Sequence, residues 1–361
     1  MEIFPFMIQY KKTLPAFELY CDILGYTPSD ILFFDIETTG FLSDTSAVFL
    51  IGAIYLKDNE WNLSQFLAET SEEECLILQA FLDLAKSFHT LVHFNGDTFD
   101  IPFILNKAAK YDIPCEIPQY TSLDLYREFR PLKKILQTDK MNQQSLEPLA
   151  GWKREDRLTG KHMVTLYHKY AVSKDTCLRD LLLLHNHDDM IGMTHLLKLS
   201  AYLPLLRGEI SNITHVSESI SDIKITFRLT HEVPSEFSMT DTFRLDASCH
   251  TCTLTIPYFE GTLYHFFPDW KHYYYLPMED QAIHKSVAQY VDKQYREPAK
   301  ACNCYIKKSG RFLPQPEEIF SPTFKDNSAS KITYFEYDGQ FTRDSAAAYN
   351  YIHAALSFLL R

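Results

Sequence analysis

Apolar runs and their spacing divide the chain into two textures. Ile31–Phe34 is a continuous apolar run leading into Asp35-Ile36-Glu37-Thr38-Thr39-Gly40, the pattern of a buried strand that ends at a turn. Val48–Leu56 reads as a second strand, bounded by Lys57-Asp58-Asn59-Glu60, and Trp61–Leu67 alternates as a third. Glu72–Phe88 then carries Leu76, Leu78, Phe81, Leu82, Leu84, Ala85 and Phe88 at helical spacing. Thr90–Phe94 is a short strand, Asn95-Gly96 a turn, and Ile101–Tyr111 a helix that tolerates Pro102 only in its first turn. A strand near Tyr120–Leu123 and helical segments up to Leu206 complete this half, an α/β mixed sheet flanked by helices.

The pattern breaks between Arg207 and Asp222, where Gly208 and a Ser/Asn/Thr-rich stretch interrupt the helical spacing. This predicts two domains, 1–208 and 209–361, as the length also favours. Beyond the break, Ile223–Leu229, Phe243–Tyr258, Thr262–Phe267 and His272–Leu276 read as strands, the last two joined as a hairpin by Pro268-Asp269-Trp270-Lys271. Ile283–Val291 reads as a short helix, Cys302–Lys308 pairs with Arg311–Leu313 across Ser309-Gly310, and Ala346–Leu360 closes with a helix. The second half is thus expected to be a β-rich α+β domain, with no internal repeat.

Composition narrows the class. With 46% apolar and 23% charged residues the chain is globular, and 26 Phe and 22 Tyr favour a sheet-rich core. No apolar run approaches the ~20 residues of a membrane span. Met1-Glu2-Ile3-Phe4-Pro5 has an acid where an export signal places its basic region, which predicts a cytoplasmic protein. Cys21, Cys75, Cys115 and Cys177 are scattered among apolar neighbours, as reduced thiols are. Cys249-x-x-Cys252 and Cys302-x-Cys304 offer a zinc set, but inside strand-like runs rather than tight knuckle turns. The aromatics Tyr264, Phe266, Trp270 and Tyr273–Tyr275 are either base-stacking residues or ordinary sheet packing.

A net charge of −12 argues against indiscriminate nucleic-acid binding. The acid is unevenly spread, however. Between Asp124 and Lys174 eleven Lys or Arg stand against six Asp or Glu, enough to follow a phosphate backbone on one face or simply to solvate a helical surface.

The sharpest chemistry sits at the end of the first apolar strand. Asp35 and Glu37, two apart, project to one face. Two adjacent carboxylates at the end of a buried strand repel and are poorly solvated unless a cation neutralises them. Hard divalent ions such as Mg2+ and Mn2+ take oxygen ligands of this kind. Asp97, directly after Gly96, reads as a helix N-cap, and Asp124 as the cap of a helix beginning at Leu125; neither is placed in the site.

The run Asp35-Ile36-Glu37-Thr38-Thr39-Gly40 after an apolar strand resembles the first motif of the DEDD superfamily of 3′–5′ exonucleases. Leu91-Val92-His93-Phe94-Asn95-Gly96-Asp97-Thr98-Phe99-Asp100-Ile101-Pro102 resembles the second, and His185-Asn186-His187-Asp188-Asp189 the third. Together they are most similar to the YprB-type ribonuclease-H-like domain family, over about residues 29–205. The resemblance implies a ribonuclease-H-like fold and a site of Asp35, Glu37, Asp100 and Asp189 holding two divalent cations, Mg2+ or Mn2+. It further implies a nucleic-acid partner and hydrolysis of single-stranded DNA or RNA from a 3′ end by in-line displacement.

The third motif departs from the family's two branches. His185 and Asp189 are four apart, the spacing of the tyrosine branch, with a histidine in the tyrosine place. The histidine-branch register would fall on Met190, which cannot bind a hard metal. On a helix His185 and Asp189 share a face, so His185 is expected to orient or deprotonate the attacking water; Asp188 is the rival ligand. Two other readings stay open: an endonuclease on the same fold, and a non-catalytic interaction protein with a vestigial metal site.

Overall fold

The computed structural model describes residues 7–17, 19–339 and 344–360; the Met1–Pro5 segment lies outside them. Among the described residues no helix is long and apolar enough to cross a membrane. The chain divides into two compact units between Leu203 and Pro204.

The first unit is built on six strands: β1 (Ile8–Leu14), β2 (Ile31–Thr38), β3 (Val48–Lys57), β4 (Glu60–Leu67), β5 (Thr90–His93) and β6 (Thr121–Asp124). They lie in the order β1-β4-β3-β2-β5-β6. β1 to β4 pair antiparallel, whereas β5 and β6 run parallel to β2. Strand β1 is absent from the sequence reading, because its outward Lys11 and Lys12 and an exposed edge leave it little apolar alternation. The helices are α1 (Glu74–Ala85), α2 (Asp100–Lys110), α3 (Leu125–Phe129), α4 (Lys133–Leu136), α5 (Gln143–Leu146), α6 (Gly160–Ser173) and α7 (Thr176–Leu196).

The sheet is covered on both faces, which is why β2 and β3 are continuous apolar runs. Leu32, Phe34 and Ile36 of β2 pack with Ile77, Leu78 and Phe81 of α1 and Phe103 and Ile104 of α2. On the opposite face Phe49 and Leu67 pack with Met163, Tyr167 and Tyr170 of α6 and Leu182 of α7.

An ion pair inside the first layer fixes α2. Lys107 and Glu74 are each 2% exposed and 3.2 Å apart. The Glu74 carboxylate also accepts from the Val48 N–H (2.7 Å) and from the Tyr111 hydroxyl (2.5 Å), so β3, α1 and α2 meet on one group. A charge this deep is tolerated only because every lone pair is used.

The second unit begins within α8 (Leu203–Leu206). Strands β7 (Asn212–Glu218), β8 (Asp222–Arg228), β9 (Phe237–Thr240), β10 (Arg244–Ser248) and β11 (Thr251–Pro257) form a sheet in the order β7-β8-β11-β10-β9. The Ser/Asn/Thr-rich stretch read as a break between domains is therefore largely edge strand β7, whose polar side chains face solvent. Two three-stranded sheets follow, from β12 (Phe259–Phe266), β13 (Tyr273–Leu276), β14 (Gln281–His284), β15 (Glu297–Pro298), β16 (Tyr305–Gln315) and β17 (Thr333–Glu336), before α9 (Ser345–Leu360).

Three expectations here are corrected. β12 pairs with β16 and β13 with β14 and β15, so the Pro268–Lys271 turn joins two sheets instead of a hairpin. Residues 283–291 are the end of β14 and a short 3-10 turn, not a helix. Residues 305–315 are one strand running through Ser309-Gly310, where Gly310 faces Gly261 across the pair. The aromatics pack largely on one another: Tyr264 on Tyr305 at 4.7 Å and Phe267 on Tyr273 at 4.6 Å. All eight cysteines are free, and among the described residues none joins a cluster of metal-ligating groups.

The buried pair yields a test. Glu74→Gln or Lys107→Met alone leaves one charge uncompensated and should cost about 3–5 kcal/mol, whereas the double substitution should cost much less than the sum. Urea unfolding of the four proteins measures the difference; additive losses would show that the two groups act separately.

Candidate metal and nucleic-acid site

Asp35 and Glu37 reach the same face of β2 near its end. Directly beside Asp35 on β3 is Gly52, and beside Gly52 on β4 is Gln65. That row forms the bed for α7. A Cβ on Gly52 would lie 2.3 Å from Asn186 Oδ1 and 2.8 Å from Met190 Cγ, so only glycine lets the helix descend there. Gln65 Nε2 donates to Asn186 Oδ1 (2.9 Å) and to the Leu183 carbonyl (2.9 Å), and Asn186 Nδ2 in turn donates to Asp35 Oδ2 (3.4 Å). The helix is thereby held in one rotation, with His185 and Asp189 toward β2.

Asp100 arrives from the other layer. It opens α2, and its Oδ1 accepts from the Ile36 N–H (3.3 Å), between the two strand carboxylates. On α7, His185 Nε2 lies 3.5 Å from Glu37 Oε1 and 3.3 Å from Asp189 Oδ2. Ligand atoms of Glu37, His185 and Asp189 all fall within 4.8 Å of one another; Asp35 and Asp100 lie outside that set but near enough for their charges to act on each other and, with that of Asp189, on the same site. All five residues singled out in the sequence are thus brought together. Asp188 is turned away, because neighbours on a helix diverge by ~100°; its Oδ2 accepts from the Glu155 and Asp156 N–H groups at 2.7 and 2.8 Å.

Three residues of the site escaped the sequence reading. Asp156 is buried and binds His185 Nδ1 at 2.5 Å, which turns Nε2 toward the carboxylates. Glu147, 1% exposed, accepts from Arg154 Nη2 at 2.7 Å, from Arg154 Nε and from Gln143 Nε2 at 3.0 Å. It rests against Gly192 of α7, where a Cβ would come within 2.2 Å of Oε1. Arg154 belongs to the basic stretch that reads either as a phosphate-following face or as a solvated helical surface; it is 10% exposed, with Nη2 also on Asp189 Oδ1. Arg127 of the same stretch pairs with Asp97 at 2.7 Å, and Lys174 Nζ caps the Glu69 carbonyl at 2.7 Å, while Lys133, Lys134, Lys153, Arg157 and Lys161 are exposed.

The crowding of acids leaves its mark. Burial, then the charges of Asp189, Asp100 and Glu37, pushes Asp35 well above the usual carboxylate range, with Arg154 pulling weakly the other way. Glu37 is raised by burial, Asp189, Asp100 and Asp156. Burial lifts Asp100 from an ordinary 3.8 to about 7, against the Ile36 N–H, which favours the charged form. Oxygen donors from β2, α2 and α7 with one imidazole are the donor set of a hard divalent cation. The residues present therefore fit the ions that the motifs imply.

A second group, His93, Asp97 and Asp124, has its donors and acceptors already matched. The Gly96 N–H donates to His93 Nδ1 (3.0 Å), so Nε2 carries the proton shared with Ser122 Oγ (2.8 Å), and Ser122 donates to Asp97. Asp124 caps α3 through the Tyr126 N–H (3.0 Å) and also holds the Asn95 N–H (2.8 Å). Asp97 does not cap α2, contrary to the sequence reading; it faces Ser122 and Arg127.

The comparisons with known proteins bear on the same region. The family model of the RNase_H superfamily matches residues 32–201. With the sheet order above, this stretch forms a ribonuclease-H-like domain. A comparison with curated proteins gives no match. Among solved structures, the chain is similar to the family B DNA polymerase of the hyperthermophilic archaeon Pyrobaculum calidifontis, at 14% identity and a TM-score of 0.38, covering 66% of this chain and 34% of that one. It is also similar to an ExoI/SSB-Ct complex (14% identity, TM-score 0.28, 61% of this chain and 56% of that one). A zinc-bound E. coli ExoI–ssDNA complex gives 14% identity and a TM-score of 0.26, over 57% of this chain and 55% of that one. The chain thus spans between 34% and 56% of the length of these structures.

The raised carboxyls predict a pH dependence for the metal-free protein. A carboxyl whose folded pKa exceeds its unfolded one contributes stability below the unfolded value and loses it as pH rises through the folded value. For Asp100 that window runs from 3.8 through about 7. In EDTA the Tm should fall between pH 5 and pH 8 by on the order of 5 °C, and Asp100→Asn should flatten the slope. A Tm that rises with pH over this range would contradict the crowding.

Proposed function

We propose that residues 32–201 act as a divalent-metal-dependent nuclease that removes nucleotides from the 3′ end of single-stranded DNA or RNA. The observation that carries the reading is the convergence of Asp35, Glu37, Asp100 and Asp189 from three separate elements beside one oriented histidine. Asp35, Glu37, Asp100 and Asp189 would hold the ions. Divalent ions bound there supply positive charge to the attacking and leaving oxygens of an in-line displacement at phosphorus.

The chain's own residues supply the rest. Asp156 fixes the ring of His185 through Nδ1 and leaves Nε2 to orient or accept a proton from the attacking water. Beside the site lies a cavity of about 620 Å³ lined by Phe94, Asn95, Tyr126, Lys140, Met141, Asn142 and Gln143. Its aromatic edge-to-face pair, Phe94 and Tyr126 at 5.9 Å, offers a surface to a base, and its amides and Lys140 offer donors. Gln143 links this cavity to the carboxylates by donating to the Asp189 carbonyl at 2.8 Å.

End-labelled and circular single strands of DNA and RNA, incubated with Mn2+ and sized on a gel, test the proposal. Linear strands should shorten stepwise from the 3′ end while circles survive; cleaved circles would establish the endonuclease instead. EDTA should abolish activity, and Asp35→Asn should lower kcat by at least about hundredfold with little change in folding. A fully active Asp35→Asn protein would remove the metal site. His185→Tyr can orient water but not readily accept a proton, and should be nearly as slow as His185→Ala. Substantial activity in the tyrosine variant would make orientation the whole role.

A further inference from the structure

Arg154 carries one donor nitrogen, Nη1, that nothing among the described residues uses. Its Nε and Nη2 grip the buried Glu147 carboxylate side-on, and Nη2 gives its other hydrogen to Asp189 Oδ1. Nη1 is buried and, among the described residues, has no partner. A guanidinium is planar with its five hydrogens in fixed directions. The inner hydrogen of Nη1 therefore runs parallel to the Nη2 hydrogen held by Asp189 and points the same way, toward the side on which the carboxylates gather. A buried donor left without a partner is costly in a folded protein, and this one is not free to turn away, because Glu147 and Gly192 lock the fork against α7.

We infer that Arg154 is a substrate-contacting catalytic residue, its Nη1 donating to a non-bridging oxygen of the phosphodiester to be cleaved while Nη2 holds Asp189. Phosphates suit this geometry, since an arginine fork offers parallel donors to adjacent anionic oxygens. The site otherwise presents mostly carboxylates, which repel a phosphodiester, so a fixed cation beside Asp189 supplies attraction where it is scarce. The assignment rests on the nuclease reading, and gives the buried Arg154 a different task from the exposed basic residues that follow it.

A chemical double-mutant cycle tests it. Single strands bearing an ordinary 3′-terminal phosphodiester, or either diastereomer of a methylphosphonate at that linkage, are compared on wild type, Arg154→Met and Glu147→Gln/Arg154→Met. The double variant removes both buried charges and so keeps a foldable core. Each methylphosphonate replaces one anionic oxygen with a methyl group. For one diastereomer, the loss on replacing the oxygen should be at least about tenfold greater in wild type than in either variant. Because the ratio compares two substrates on one protein, loss of folded material cancels. Dissociation constants of the same strands in Ca2+ give the cycle without turnover and should show the same coupling. Losses equal within twofold for both diastereomers, in rate and in binding, would overturn the assignment. If wild type and Asp35→Asn alike neither bind nor cleave any strand, the nuclease reading fails and takes this inference with it. Cleavage by wild type without coupling overturns only the role of Arg154.

Discussion

Like charge gathered at the end of one strand is the constraint around which the first unit is organised. Asp35, Glu37, Asp100 and Asp189 repel one another in a setting with little water to screen them, so each must be held by something other than its neighbours. Three of the four have a specific tether, Asn186 for Asp35, the Ile36 N–H for Asp100 and Arg154 for Asp189, while Glu37 is faced by His185 Nε2 at 3.5 Å. The tethers are themselves anchored, Asn186 by Gln65, Arg154 by Glu147, and the helix bearing Asp100 by Lys107 and Glu74. Rigid support at this depth is what keeps the carboxylates together against their mutual repulsion.

The same arrangement explains what could be read in advance. Asp35 and Glu37 announce themselves because strand periodicity alone puts them side by side. Asp100, His185 and Asp189 are legible only through the resemblance of their surroundings to the second and third motifs, helical spacing adding that His185 and Asp189 share a face. Nothing local marks Glu147, Arg154 or Asp156: each is an isolated charged residue in a loop-like stretch rich in charge, and its partner lies elsewhere in the chain. Gly52 and Gln65 were equally silent, since their meaning lies in lateral pairing with Asp35 and in contact with Asn186. Basic residues between Asp124 and Lys174 read as one stripe, yet Arg127 and Arg154 are committed to acids and the others are not.

The second unit shows the limit in another form. Its strands were largely found, because alternation and aromatic content mark a pleated surface. Their partners were misassigned, because period-two patterning tells which face is buried and nothing about which strand lies alongside. Proximity in sequence favoured hairpins at Pro268–Lys271 and Ser309-Gly310, whereas the chain pairs β12 with β16 across more than thirty residues.

Asp188, the acid that turns away from the site, deserves a second consequence. By accepting the Glu155 and Asp156 N–H groups it pins the short segment that carries both Arg154 and Asp156. One stretch of irregular backbone therefore delivers the guanidinium fork and the acid that orients the histidine, and one helix residue clamps that stretch. Were the segment to lift, both would depart together while the four carboxylates stayed where they are. A protein in that condition would keep its four carboxylates yet have neither an aimed imidazole nor a guanidinium beside Asp189. Resistance of the peptide bonds around residues 153–158 to a protease thus serves as a gauge of whether the machinery is assembled, independent of any substrate.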